Sequence, residues 1–353
     1  MATARSDRRG RAAGTARRWI RRRGGKASGF RYVDERDAPV RDARTLRRIE
    51  ALRLPPAWRD VHIARSPHAA IQAWGLDARG RKQYRYHERA VATSELRKYH
   101  RVRELARELP RIRRRLAADA ARRSASRDAA AATVLRLIGE AFFRPGAERY
   151  ARENGTFGIT TLRKSHVRVE DDCLVFRYVG KGRIRQRQCV PSRTLAQLVA
   201  RHLDTPGARL FRYRRGGRWI DLTARDVNAY LRERVGARYS AKDFRTWGGT
   251  LRAATVLAEL GAAPSAAQAR RNVATAMRLV AAELGNTPAI CRRSYVHPIV
   301  VAKYLDEGRT IAPSPRAARR DGIAHSAEER ALIRFLDEHF PDRRRATRRT
   351  AVA

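Results

Sequence analysis

However this chain folds, its surface must carry a large excess of positive charge. Residues 1–26 contribute a net +9 and residues 342–350 a net +4, so +31 of the formal +44 stays on the residues between them. A core must form beneath that charge. Apolar residues, 43% of the 353, are enough for two ordinary domains of roughly 100–200 residues each. Self-repulsion on this scale excludes an ordinary metabolic enzyme and calls for a polyanionic partner, read here as nucleic acid.

Arginine supplies nearly all of the charge. Only seven residues are lysine, at 26, 82, 98, 164, 181, 242 and 303. Where arginine has been used for almost every cationic position, each remaining lysine invites a search for a task that a guanidinium cannot perform, such as giving up a proton. The cysteines are three, at 173, 189 and 291, with no C-x-x-C pair. Their number and spacing argue against a disulfide framework or a zinc site and for reduced thiols.

The hydrophobic pattern changes period near residue 93. Before it, Gly29–Val33, Val61–Ala64, Ala70–Trp74 and Arg81–Tyr86 read as short strands, with a helix over Asp42–Leu52 and turn chemistry at 75–80. After it the chain reads as helical: Ser94–Leu109, ended by Pro110, a basic helix to Arg123, then Asp128–Phe143 and further helices at 192–203, 224–235, 246–260, 266–284, 288–296, 299–306 and 326–340. One β interlude at 157–190 is expected, its hairpin centred on Gly180-Lys181-Gly182. Ser326 and Glu329 have capping-box spacing. The expected fold class is α+β, with four segments. A basic flexible tail covers 1–28, a small β-rich domain 29–92, a mainly helical domain 93–340 and a second basic flexible tail 341–353.

Four motifs stand in order in the helical part: Phe142-Phe143-Arg144-Pro145-Gly146; Val179-Gly180-Lys181-Gly182-Arg183; Lys242-Asp243-Phe244-Arg245; and Gly285-Asn286-Thr287-Pro288, with Tyr295 ten residues after the glycine. A fifth, Gly80-Arg81-Lys82-Gln83-Tyr84-Arg85-Tyr86, lies in the β-rich part. On these residues the chain resembles the type IB DNA topoisomerases, in the compact form of bacteria and poxviruses, over about residues 30–310. The resemblance implies a helical catalytic domain of the tyrosine recombinase and type IB topoisomerase fold carrying a small sheet. It also implies supercoil relaxation through transient cleavage of one strand.

The roles that the resemblance implies fit the chemistry of each side chain. Tyr295 would attack phosphorus and form a 3′-phosphotyrosyl link. A phenol with an unperturbed pKa near ~10 needs cationic neighbours to do so. Arg144 and Arg245 would hold the nonbridging oxygens, and Lys181 would protonate the leaving 5′-oxygen. Lys242 would assist. Asn286 stands where the poxvirus branch has a histidine, and it would donate a hydrogen bond without titrating. Of the wider DNA contacts, Gln83, Tyr84 and Tyr86 would lie against the major groove, with Arg81 expected on the face shared by the two tyrosines. Tyr150, Arg292 and Arg293 would hold phosphates.

The implied molecule is a monomer clamping double-stranded DNA, without cofactor, metal or ATP, in the cytoplasm and associated with the nucleoid. No apolar run approaches the ~18 residues of a membrane span. Two rivals remain. A tyrosine recombinase would usually show His-x-x-Arg where this chain has Lys242-x-x-Arg245. A non-catalytic packaging protein would bind and compact DNA without a covalent adduct. His166, His297 and Cys291 read as structural or DNA-facing, and Thr287 as the cap of the helix that begins at Pro288.

Overall fold

The computed structural model describes residues 19–170, 172–236, 238–314 and 322–340. The chain divides into two compact units, with the division after Arg97. The first contains a five-stranded antiparallel sheet, β1 (Trp19–Gly25), β2 (Gly29–Val33), β3 (Arg59–Ala64), β4 (Ile71–Leu76) and β5 (Lys82–Tyr86), in the order β2-β1-β3-β4-β5. Alternation along the strands sends Ile20, Val61, Ile63 and Ala73 to one face. There they form a small core with Ile49 of α1 (Ala43–Ala51), a helix whose N-terminus Asp42 caps by accepting from Thr45 N at 2.8 Å. On the opposite face the register pairs His62 with Trp74 and Trp74 with Tyr84. The rings of His62 and Trp74 stack 4.0 Å apart, and the Lys82 ammonium lies 3.7 Å from the Trp74 ring centroid.

The tail expected over 1–28 needs correction where the chain is described. Trp19–Gly25 is a paired strand rather than tail. Its arginine run reads as a solvated segment, but Ile20 is buried in the core and Arg22 donates to the carbonyls of Trp58 at 2.7 Å and Pro55 at 3.2 Å. Residues 1–18 and the C-terminal tail at 341–353 lie outside the described residues.

The second unit is mainly helical. In chain order it has α2 (Glu88–Ala121, which begins before the division), α3 (Arg127–Ala141), α4 (Glu148–Asn154), β6 (Val167–Glu170), β7 (Cys173–Val179), β8 (Arg185–Pro191), α5 (Arg193–Leu203), β9 (Arg212–Arg215), β10 (Arg218–Asp221), α6 (Ala224–Arg234), α7 (Ala241–Leu260), α8 (Ala266–Leu284), α9 (Pro288–Ser294), α10 (Pro298–Glu307) and α11 (Ala327–His339). Strands β6, β7 and β8 form a small antiparallel sheet, and the core is continuous through α2, α3 and α5–α11. The fold is α+β, a β-rich part followed by a mainly helical one. The β9–β10 hairpin escaped sequence reading because its strands are arginine-dense. The available signal was the pair Gly216-Gly217, whose φ values of +55° and +76° suit a two-residue turn.

Two further expectations fail for local reasons. Pro110 does not end a helix: α2 runs through it for 34 residues. Leu105, Ala106, Leu109, Ile112 and Leu116 are all buried, so packing on both sides holds the helix together. The carbonyl that Pro110 cannot bond is that of Ala106, and the His325 ring supplies the missing donor, with Nε2 at 2.6 Å from Ala106 O. The cysteines are not all reduced either, because Cys173 and Cys189 form a disulfide. The β7–β8 hairpin folds the chain back over a sequence separation of 16 and brings the pair together, which linear spacing does not reveal. Cys291 is free and buried.

Replacing His325 with Ala leaves a buried carbonyl without its donor and should cost about 1–3 kcal/mol in urea unfolding. In a Pro110→Ala background, where residue 110 regains its N–H, the same His325→Ala change should cost clearly less. Equal costs in the two backgrounds would break the assigned link.

Candidate active site

The C-terminal end of α8 gathers the motif residues. Gly285, at φ +62°, reverses the chain there, and Asn286 N bonds back to Ala281 O at 3.0 Å. Thr287 then caps α9, accepting from Ile290 N at 3.3 Å, with Pro288 in the first turn. The terminal carbonyls of α8 point at two guanidiniums. Arg245, from the second turn of α7, donates to Leu284 O at 3.0 Å. Arg144 donates to Gly285 O at 2.6 Å and to Asn286 Oδ1.

Each arginine arrives by a tightly packed route. Phe142, in the left-handed region at φ +53°, turns the chain out of α3, and Phe143 is buried. The loop then lies so close to Gly158 that a Cβ there would sit 2.6 Å from Arg144 O. Ile159 N donates to Arg144 O at 2.8 Å, and Gln188 of β8 donates to Ala141 O at the end of α3 at 2.9 Å. Arg245 is only 2% exposed, and its Nε has no hydrogen-bond partner among the described residues. Burial lowers its pKa, the Tyr295 phenol opposes that shift, and Arg144 adds to it. Asp243, a salt-bridge partner suggested by sequence proximity, is engaged elsewhere, with Arg101 at 2.9 Å and Ser240 N at 2.8 Å.

Tyr295 ends α9, half-buried, with Arg245 lying 5.2 Å from its ring centroid. Its carbonyl accepts from Thr250 Oγ1 at 3.2 Å, and a Cβ on Gly249 would come 2.9 Å from that carbonyl. Asn286 Nδ2 is buried, its side chain beside the Cys291 thiol, and has no oxygen acceptor among the described residues. Arg144, Arg245, Asn286 and Tyr295 therefore form one cluster. Sequence reading missed Tyr178 of β7, which lies within the field of both arginines and donates to Gln188 Oε1 at 3.1 Å. Burial pushes its phenol up to about 12, against the pull of Arg245 and Arg144. No motif marks it, since its place depends on sheet register.

The remaining residues stand around this cluster or in the other unit. Lys181 is exposed at the β7–β8 turn. The hairpin neck meets the arginine site through Gln186, whose side chain sits 2.6 Å from where a Gly285 Cβ would be and 2.9 Å from that of Gly180. Lys242 is exposed one helical turn before Arg245. Tyr150, Arg292 and Arg293 are exposed as well. His297 is buried and caps α10, and its ring is pushed down to about 3 by desolvation and by Arg103 and His100. His166 accepts from Arg163 N at 3.1 Å.

In the N-terminal unit, Tyr84 and Tyr86 share a face as expected, 40% and 53% exposed with rings 5.8 Å apart. Arg81 is not on that face. It precedes β5 and pairs with Asp77 at 2.7 Å, and Gln83, at the parity opposite to the tyrosines, donates to the same carboxylate at 2.9 Å. Both residues brace the β4–β5 turn.

Comparison with known families agrees with this geometry. Residues 82–319 match the family model of the eukaryotic DNA topoisomerase I catalytic core, and residues 29–77 match that of the bacterial DNA topoisomerase IB N-terminal domain. The chain belongs to the type IB DNA topoisomerases. DNA topoisomerase 1B of Acanthamoeba polyphaga mimivirus is 30% identical over 275 residues, covering 76% of this chain and 81% of that protein. DNA topoisomerase 1B of vaccinia virus is 23% identical over 238 residues, covering 66% and 72%. This topoisomerase is thus an isomerase acting on DNA, and among the described residues no helix is long and apolar enough to cross a membrane.

Placing a methyl group at Gly249 should push the Tyr295 backbone aside and, with Tyr295 as the nucleophile proposed below, slow strand cleavage by ~10-fold or more, since small misplacements of a reacting group are costly. DNA affinity should hold. Gly139→Ala, where the added Cβ meets nothing within 4 Å, serves as the control and should be silent. A Gly249→Ala enzyme that cleaves at the normal rate would show that the contact is not transmitted to the phenol.

Proposed function

We propose that this topoisomerase relaxes positive and negative supercoils by transesterification at Tyr295, with no requirement for ATP or a divalent metal. The observation that carries this reading is a cluster in which Arg245 lies against the half-buried Tyr295 ring and Arg144, bonded to Gly285 O and Asn286, lies within the field of Arg245. The Tyr295 oxygen attacks a backbone phosphorus and becomes linked to the 3′ end, while the 5′-oxygen leaves. Negative charge grows on the nonbridging oxygens as the phosphorus becomes pentavalent, and Arg144 and Arg245 stand where fixed cations stabilise that charge. Arg245 Nε and Asn286 Nδ2 are buried donors without a hydrogen-bond partner among the described residues.

Lys181 is the general acid in this reading. Its ammonium can be desolvated on DNA and can surrender its proton to the 5′-oxygen, whereas a guanidinium essentially cannot. Lys242 assists from α7. After the free strand has rotated, the 5′-hydroxyl attacks the phosphotyrosyl bond and restores the backbone, because the covalent link has conserved the bond energy. Tyr84 and Tyr86 are the exposed N-terminal groups we assign to DNA, and Tyr150, Arg292 and Arg293 are assigned to phosphates. Gln83 and Arg81 act through the turn they brace. Duplex binding as a monomer within the cytoplasm completes the proposal.

Plasmid relaxation in EDTA without ATP should proceed with the wild-type protein and be abolished in Tyr295→Phe, which should still bind DNA. A Tyr295→Phe protein that relaxes plasmids would refute the nucleophile. Separately, Lys181→Ala should slow cleavage severely on a normal strand and far less when sulfur replaces the bridging 5′-oxygen, because a thiolate leaves without an acid. Equal slowing on the two substrates would reject the general-acid role.

A further inference from the structure

The peptide segment that carries the nucleophile is held at consecutive carbonyls by two hydroxyls from different helices. Thr250 of α7 shares its hydroxyl proton between Thr246 O at 2.8 Å and Tyr295 O at 3.2 Å and accepts from His297 N at 3.0 Å. Tyr99 of α2 donates to Val296 O at 2.9 Å, in a bond that is fully buried. The Tyr99 side chain comes from nearly two hundred residues away in sequence and belongs to none of the motifs discussed above. Its ring packs on His297 with centroids 4.5 Å apart, and the His297 ring meets Phe340 at 4.6 Å. His297 accepts from Ile299 N through Nδ1 at 3.2 Å and so starts α10 immediately after the segment.

These contacts fix a stretch that would otherwise be free to pivot. Tyr295 closes α9, with its N–H bonded to Cys291 O at 2.9 Å, and α10 begins at Pro298. Only two peptide planes lie between the phenol's own Cα and the capped start of α10. Each has its carbonyl tied down, one by Thr250 and one by Tyr99. Rotating either plane moves the Tyr295 Cα and, at the end of a long side chain, its oxygen. An in-line attack tolerates little such movement.

We propose that Tyr99 is a positioning residue for the nucleophile: its hydroxyl, through Val296 O, holds the Tyr295 phenol in line for attack on phosphorus and for the reverse step. The inference rests on Tyr295 being the nucleophile. The ring of Tyr99 contributes packing and the oxygen contributes alignment, so the two contributions can be separated by substitution.

Tyr99→Phe keeps the ring and removes the bond. Single-turnover cleavage of a suicide substrate at saturating enzyme should slow by roughly tenfold, with DNA affinity within about twofold of wild type. Religation should slow by a similar factor. Replacing the bridging oxygen with sulfur should not restore the rate, in contrast to Lys181→Ala. Phe340→Leu disturbs the same aromatic cluster without touching the bond, so it should lower the melting temperature and leave the cleavage rate near normal.

Wild-type cleavage by Tyr99→Phe, with Tyr295→Phe inactive, would overturn this inference and leave the nucleophile assignment standing. Slowing of both Tyr99→Phe and Phe340→Leu in proportion to their lost melting temperature would also overturn it. Cleavage by Tyr295→Phe would instead remove the reading on which the inference rests.

Discussion

Two guanidiniums meet at the end of one helix, and neither makes an ion pair among the described residues. Their acceptors are neutral: Leu284 O, Gly285 O and the Asn286 amide oxygen. The carbonyls at a helix C-terminus carry partial negative charge and so favour cations there, but they do not cancel a full positive charge as a carboxylate would. The arginines are thereby fixed in direction while their charge stays available to an anion. Burial lowers the pKa of Arg245, and the charge of Arg144 adds to that shift. A carboxylate at this point would give a more comfortable folded protein and a poorer site for phosphate. Much of the catalytic unit's local geometry serves this meeting, from the left-handed Phe142 and close-packed Gly158 to the reversal at Gly285.

The cluster could be read from the sequence because each member lies in a short motif whose spacing survives in the fold. Arg144 follows a helix end, Arg245 stands one turn after Lys242, and Tyr295 closes the helix that Thr287 caps. What could not be read depends on partners distant in the chain. Pro110 looked like a helix end because the compensating donor, His325, comes from more than two hundred positions away. The strand at Trp19–Gly25 hid within a run of arginines whose satisfaction by Trp58 and Pro55 is tertiary. Arg81 is an exception, since its partner is local: it is odd-numbered where the tyrosines are even, and Asp77, four residues before it, claims it. Tyr178, Gln186 and Tyr99 carry no local signal. Each reaches the site through sheet register or helix packing, properties of the folded chain alone.

Scarcity of lysine gives a further argument once each ammonium is located. Lys82 lies over the Trp74 ring, Lys98 over the Tyr99 ring, Lys164 bonds to Thr205 O and Lys303 pairs with Glu307. A guanidinium also packs on aromatic rings and bonds carbonyls, so those four do not by themselves require lysine. Lys181 and Lys242 are different. Both are exposed; Lys26 and Lys82 are exposed as well, but only Lys181 and Lys242 are exposed lysines within the motifs of the helical unit. An exposed ammonium in water is an ordinary lysine. For the acid role assigned to Lys181, desolvation by bound DNA has to outweigh the opposing pull of the phosphates, which favours the charged ammonium.

The same logic explains how so basic a chain folds while keeping two arginines uncommitted. The few buried carboxylates among the described residues each take several donors, at least one of them from another helix. Glu329 of α11 takes a bidentate pair from Arg113 of α2 and the indole N–H of Trp247. Asp119 is shared by Arg115, Arg122 and Tyr230, and Asp128 by Arg127 and Arg234. Acids are thus spent where helices must be joined, and a carboxylate serving several donors relieves local repulsion more than an isolated surface pair would. Trp247 ties this arrangement to the chemistry, since it lies two residues beyond Arg245 on α7 and its indole is anchored by Glu329. With the acids committed to joining helices, the arginines at the end of α8 are left to neutral carbonyls. The charge the fold leaves uncancelled therefore lies where a phosphate can cancel it.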